Sequence, residues 1–161
     1  GAKIYGEVCG YGTSLDGYSL TAPDPAGHWQ EAAVRAALQE AGLAPAEIDL
    51  VAAHGTGTML NDVMEAQLLA RIYGGQTPYV VALKSWIGHL SVACGAVELA
   101  LCLLLMQSRY LPEIRNLINP CHTGINFVTQ GQTVAPGTVM LENFGFGGQN
   151  CALIMKVYDA T

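Results

Sequence analysis

The chain has 161 residues, 51% of them hydrophobic and only 12% charged, with a formal charge of −6 at pH 7. This excludes an intrinsically disordered chain, which needs low hydrophobicity and high charge, and a basic nucleic-acid binder, which needs clustered lysine and arginine. The length suits one domain over residues 1–161, and so few charges leave apolar surface to be hidden in a large core or against another chain.

Taken in chain order, residues 3–11 alternate and are predicted as a strand, and residues 21–25 as a loop. Residues 29–41 carry Ala32, Ala33, Ala36, Ala37 and Leu38 at helical spacing, with Gly42 where a helix is capped. Residues 48–53 form a short apolar strand that runs into His54-Gly55-Thr56-Gly57-Thr58. Asn61 or Asp62 is the expected cap of a helix reaching about Tyr73, closed by Gly74-Gly75. Residues 79–83 are a second apolar strand. Residues 88–107 read as one long helix, apolar on nearly every face and therefore buried. Two strands, residues 139–142 and 151–158, flank a loop from Asn143 to Asn150. Strands and helices in this alternation imply an α/β layered fold, a mixed sheet with a buried central helix and flanking helices.

The apolar run at 96–106 is interrupted by Glu98 and falls short of the ~18 residues of a spanning helix, so no membrane segment is expected. No basic stretch followed by an apolar one opens these residues, so no signal peptide is expected either. The five cysteines, Cys9, Cys94, Cys102, Cys121 and Cys151, make no CxxC pair and read as reduced, buried thiols of a cytoplasmic protein. Cys121 and His122 lack two further ligands at metal spacing, so no metal is expected.

Three polar features stand at strand ends or helix starts, where α/β folds place their sites. His54 follows an apolar strand in a loop whose glycines admit close backbone approach and whose Thr56 and Thr58 offer hydroxyls to an extended polar substrate. Lys84-Ser85-Trp86-Ile87-Gly88-His89 leads from a strand into the apolar helix, where a helix N-terminus would favour neutral His89 as a hydrogen-bond donor. Glu98, alone in that helix, needs a cationic partner if buried, and Lys84 is the candidate. The glycines of 143–150 free backbone N–H groups to face an oxyanion. Each feature alone has a bland structural reading: a core histidine, a snorkelling lysine, a hairpin turn.

Together, His-Gly-Thr-Gly-Thr, then Lys-Ser-x-x-Gly-His with Gly-Ala-Val-Glu after it, then Asn-Phe-Gly-Phe-Gly-Gly-x-Asn, resemble the C-terminal half of the β-ketoacyl-acyl carrier protein synthases, the elongating condensing enzymes of fatty acid and polyketide synthesis with a thiolase-like fold. Pro112, Asn116-Leu117 and Pro120 also fall where that family has a Pro and an Asn-Leu-x-x-Pro. The resemblance implies that His54 and His89 hydrogen-bond the malonyl thioester oxygen as decarboxylation makes it an enolate. It implies that Lys84 pairs with Glu98 in support of the histidines, and that Thr56 and Thr58 bond the phosphopantetheine arm. It also implies that Phe146, flanked by Gly145 and Gly147, gates the acyl pocket and lends its N–H to an oxyanion hole. Gln149 stands where the family more often has Thr, and Trp86 is bulkier than the family's usual residue.

The family's acylated cysteine belongs to an N-terminal half that residues 1–161 do not include. Cys94 has small neighbours, but on one continuous helix it would lie about 140° around from His89, so it is expected to be core. The partners implied are the N-terminal half carrying the nucleophile, acyl carrier protein and a second ketosynthase-type subunit, as homodimer or as a heterodimer with a chain length factor. No cofactor is expected on this chain itself, since the substrate arrives on the carrier's phosphopantetheine. Two other readings stand beside the enzyme: a ketosynthase-like subunit that sets chain length, and a non-catalytic module binding acylated carrier protein.

Overall fold

The computed structural model describes residues 1–158. Its elements in chain order are β1 (Glu7–Leu15), α1 (His28–Ala41), β2 (Leu50–Ala52), α2 (Met59–Tyr73), β3 (Tyr79–Val81), α3 (Lys84–Ile87) and α4 (Cys94–Ser108). The short strands β4 (Tyr110–Leu111), β5 (Asn126–Phe127) and β6 (Gln132–Thr133) follow, then β7 (Thr138–Phe144) and β8 (Gln149–Lys156). One mixed sheet runs β1-β8-β7-β2-β3-β5; β1, β8 and β7 are antiparallel and β7, β2, β3 and β5 are parallel. β4 and β6 form a separate two-stranded ladder.

Side chains alternate across this sheet, and the alternation divides the core. Val51, Met140 and Ile154 face α1 and α2, packing with Val34, Leu38, Leu68 and Leu69. Leu50, Ala52, Val139 and Leu141 face the other way, onto Cys102 and Met106 of α4. The parallel strands β2 and β3 are buried on both sides, as their short apolar runs predict.

The first strand lies four residues later than predicted, because its partner is β8, in a register from Glu7 opposite Lys156 to Leu15 opposite Gln149. It places Gly10 and Gly12, rather than bulky residues, under α1. A Cβ on Gly12 would stand 1.9 Å from the carbonyl oxygen of Ala33. Gly12→Ala is therefore expected to lower stability by about 1–3 kcal/mol through overpacking, read as a lower denaturant midpoint at unchanged slope. An unchanged midpoint would contradict this close helix–strand approach.

α1 ends as expected, with Gly42 left-handed at φ 66°. α2 starts earlier than predicted: Thr58 is its cap residue, while Asn61 and Asp62 lie within the first turn. Their side chains have other work. Asp62 accepts the Gly57 N–H at 3.2 Å and Asn61 donates to Glu65 at 2.9 Å.

The predicted helix at 88–107 is broken. α3 stops at Gly88, which has φ 73°, Ser91 has φ 53°, and only after a 3-10 turn (Ser91–Ala93) does α4 begin at Cys94. His89 thus precedes the helix, and the angular argument that set Cys94 away from it does not apply. Nor is α4 buried all round. Cys94, Glu98, Cys102 and Met106, at i,i+4 spacing, are buried, while Leu104 on another face is 55% exposed and Val92, just ahead, fully so. By length and composition alone, Ser91–Ser108 is apolar enough to cross a membrane, longer than the run at 96–106 suggested. In the fold its inner stripe lies on the sheet, with Glu98 paired. Cys121 is exposed and Cys9 and Cys151 half-buried, so the five thiols, all free, are not uniformly buried as expected.

Candidate active site

The parallel order of β2 and β7 brings the ends of both strands to one place. β2 delivers His54, which is 6% exposed. α3 and its glycine deliver His89, and β7 ends in the loop that carries Phe146. The two imidazoles meet edge-on, with ring centroids 5.7 Å apart and planes at 89°. Phe144 also packs against His54, with ring centroids 5.8 Å apart.

Both rings are set up as donors. Burial first, then the nearby Lys84 and His89, push the His54 pKa down to about 3, so the ring is neutral near pH 7. Its Nδ1 is buried and has no hydrogen-bond partner among the described residues. His89 accepts the Ser91 N–H on Nδ1 at 3.1 Å, which leaves Nε2 as the nitrogen that carries a proton. Because the folded pKa of His54 lies below the ordinary 6.5, the stability gained by keeping it neutral is present above that value and is lost as pH falls toward about 3.

Beside the histidines, Lys84 Nζ donates to both carboxylate oxygens of Glu98, at 2.9 and 3.1 Å, and both side chains are buried. The pairing expected from Glu98's isolation in an apolar helix is present. Cys94 donates its thiol to Glu98 at 3.4 Å, and burial, above all, pushes its pKa up. It lines the same cavity as the histidines, yet that environment disfavours a thiolate.

The cavity is open, of about 1320 Å3, and is lined by His54, His89, Thr56, Thr58, Cys94 and Phe146, among others. Thr56 and Thr58 share a hydroxyl hydrogen bond of 2.8 Å. Phe146 is 80% exposed, its aromatic ring unburied, on a turn closed by the Gly145 N–H donating to Gln149 O at 2.7 Å. Gly147 is left-handed at φ 78° and donates to Leu20 O. Gly148 accepts from the Asp16 N–H and the Asn150 side chain, and buried Asp16 accepts in turn from Gln30 at 3.0 Å. Motif reading missed Asp16, Gln30 and Glu65; Glu65, between Met64 and Ala66, offered the signal of a charge among apolar residues, while Asp16 and Gln30 stand among polar neighbours and offered none. Trp86, the bulky departure, donates its indole N–H to Glu113 O at 2.7 Å and carries the Arg115 guanidinium at 4.6 Å from its ring. No cluster of metal-ligating side chains occurs among the described residues.

Residues 5–118 match the family described as beta-ketoacyl synthase, C-terminal domain. The 3-oxoacyl-acyl-carrier-protein synthase 2 of Mycobacterium bovis is 37% identical over 98% of this chain and 38% of its own length. That of Rhizobium meliloti is 40% identical, again over 98% of this chain and 38% of its own length. Among solved structures, a ketosynthase from Xenorhabdus doucetiae in complex with its chain length factor superposes with a TM-score of 0.89 at 37% identity, over 98% of this chain and 40% of that one. A beta-ketoacyl synthase from Burkholderia phymatum gives 0.90 at 32% identity, over 98% and 39%. The chain therefore spans 38% of the curated relatives named here.

Proposed function

The chain belongs to the β-ketoacyl synthase family, whose C-terminal domain and thiolase-like α/β fold it carries, and on that premise we propose that it supplies the histidine half of a decarboxylative condensing site. The observation that carries the proposal is the pair of facing imidazoles, His54 and His89, beside the buried Lys84–Glu98 pair.

In this reading an acyl group waits as a thioester on a cysteine of the N-terminal half. A malonyl group arrives on the phosphopantetheine of acyl carrier protein, its arm bonded by Thr56 and Thr58. His54 and His89 donate to the malonyl thioester oxygen. The C–C bond to the carboxylate breaks, carbon dioxide leaves, and the electron pair becomes an enolate whose oxygen these donors stabilise. Preoriented donors suit that task, because they stabilise charge that exists only along the reaction path. The enolate carbon then attacks the acyl thioester. Its oxyanion is held at the Phe146 N–H until the C–S bond breaks, expelling the cysteine thiolate and leaving the β-ketoacyl product on the carrier. Gly145 and Gly147 give the Phe146 turn the freedom to open and close the acyl pocket. The Lys84–Glu98 pair keeps a fixed positive charge close to His54, which helps hold it neutral.

The partners proposed follow the same logic. The apolar face left open by α4, with Leu90, Val92 and Leu104 exposed, supports packing against the N-terminal half. A homodimer, or a heterodimer with a chain length factor, completes the assembly, which acts in the cytoplasm. The test is to join the chain with its N-terminal half and supply malonyl-carrier and acyl-carrier. Release of carbon dioxide with formation of a β-ketoacyl product is expected. Carrier binding without either would favour a non-catalytic module, and a change in product length alone would favour a chain-length subunit.

A further inference from the structure

Behind the His54 loop, on the α1–α2 side of the sheet, lies a polar cluster that the condensation chemistry does not use. Glu65 on α2 is buried and accepts three N–H bonds: from the His54 backbone at 2.6 Å, the Gly55 backbone at 2.8 Å and the Asn61 side chain at 2.9 Å. Glu142 on β7 is wholly buried. Strand alternation sends Val139 and Leu141 toward α4, and Met140 and Glu142 toward α2. The register that sets Leu141 beside Ala52 brings Glu142 beside Ala53, next to the His54 amide that Glu65 holds, and there the two carboxyls interact. Among the described residues, neither Glu142 oxygen has an N–H or O–H partner.

Two carboxylates in contact out of water do not both ionise; one proton serves the pair. Hydrogen bonding decides which oxygen holds it. Burial raises the Glu65 carboxyl above its ordinary value, but its three N–H donors, and then the Lys84 charge, work against that rise and favour its charged form. Glu142 has no such donor, and as an acid it becomes one. Burial and the charge on Glu65 accordingly hold the Glu142 carboxyl well above the usual carboxylate range.

We propose that Glu142 is a positioning residue, a buried carboxylic acid that donates a hydrogen bond to the Glu65 carboxylate and so fixes the clamp on the His54 and Gly55 amides. His54 is thereby aimed into the cavity from behind. The consequence for catalysis rests on the reading of His54 as a condensing histidine; the shared proton does not. The other titratable groups around the pair are Tyr73 of α2, Lys84 of α3, His54 itself, and, on the Glu65 side, Asp62, which shares the Asn61 amide, and Cys121, whose thiol burial pushes up. Burial, then Glu142, hold the Tyr73 hydroxyl protonated; Lys84 is committed to Glu98; and His54 stays neutral. Glu142 is therefore the group that titrates as pH rises. Its folded pKa is raised, so its stabilising protonation is complete below the ordinary carboxylate value and is lost as pH climbs through the raised one.

The test compares wild type, Glu142→Gln and Glu142→Leu in the synthase assembled from this chain and its N-terminal half. Tm is followed from about pH 5 to about pH 9. Wild type is expected to lose Tm on the alkaline side, while the glutamine variant, whose amide donates at every pH, stays flat. The glutamine variant keeps kcat within about threefold, and the leucine variant loses about 10- to 100-fold in kcat with little change in KM for malonyl-carrier. Parallel Tm curves for wild type and Glu142→Gln would overturn the proposal, as would a leucine variant with wild-type kcat. If the leucine variant does not fold, or the assembly does not condense, the two Tm curves still decide.

Discussion

Replacing His54 or His89 by alanine is expected to slow condensation in the assembled synthase by about 10²-fold or more, the scale for losing one donor to a developing oxyanion. Acyl transfer to the nucleophile outside this chain should fall far less, because that step forms no malonyl enolate. Single-turnover measurements of the two steps separate these outcomes. The geometry makes the expectation specific. His54 is neutral because burial pushes its pKa down to about 3, and His89 has Nδ1 occupied by the Ser91 N–H. His54 is therefore a weak base near pH 7, and His89 is left with Nε2 free to meet a ligand. The condensation pH profile should therefore show no acid limb from His54 above about pH 3 to 4. Near wild-type condensation in both variants would remove the histidines from the chemistry.

Breaking the Lys84–Glu98 pair should damage folding more than any other single change here. Lys84→Met leaves Glu98, wholly buried, with the Cys94 thiol as its remaining donor among the described residues. Removing one partner of a buried pair strands the other charge and costs about 3–5 kcal/mol. Replacing both, as Lys84→Met with Glu98→Leu, removes the stranded charge and is expected to recover most of that loss in folding but none of the condensation rate. Denaturant unfolding of the single and double variants checks it. A Lys84→Met protein within about 1 kcal/mol of wild type would mean that water reaches Glu98.

The same buried glutamate shows how far sequence alone reaches. Glu98 was found because one carboxylate in an apolar helix demands a partner. Glu142, in the apolar run of β7, carries the same signal, yet no local spacing links it to Glu65, and only the sheet register brings the two together. β2, β3 and α1 were legible because apolar runs and Gly42 mark them locally. The break between α3 and α4 was not, since Gly88 and Ser91 turn the chain through backbone angles that leave the apolar composition unchanged. Composition announced that α4 is apolar on every side; it did not say which side this chain covers. The strand pairs β4–β6 and β3–β5, two residues long each, are fixed by their neighbours and leave no periodic trace. Gly12 falls just past the predicted strand at 3–11, and nothing local in the sequence marks it as a place where α1 packs against the backbone.

The central claim is that this chain supplies the enolate-stabilising histidines while the nucleophile lies outside residues 1–161. Peptide mass spectrometry of the assembled synthase after incubation with acyl-carrier protein tests it most directly. Burial raises the thiols of Cys94 and Cys151 and pushes Cys102 up to about 12, so these are poor nucleophiles near pH 7. The prediction is a stoichiometric acyl thioester on a cysteine of the N-terminal half, with Cys9, Cys94, Cys102, Cys121 and Cys151 unmodified. A stoichiometric adduct on Cys94, which shares the cavity with both histidines, or on any other cysteine of this chain, would contradict it.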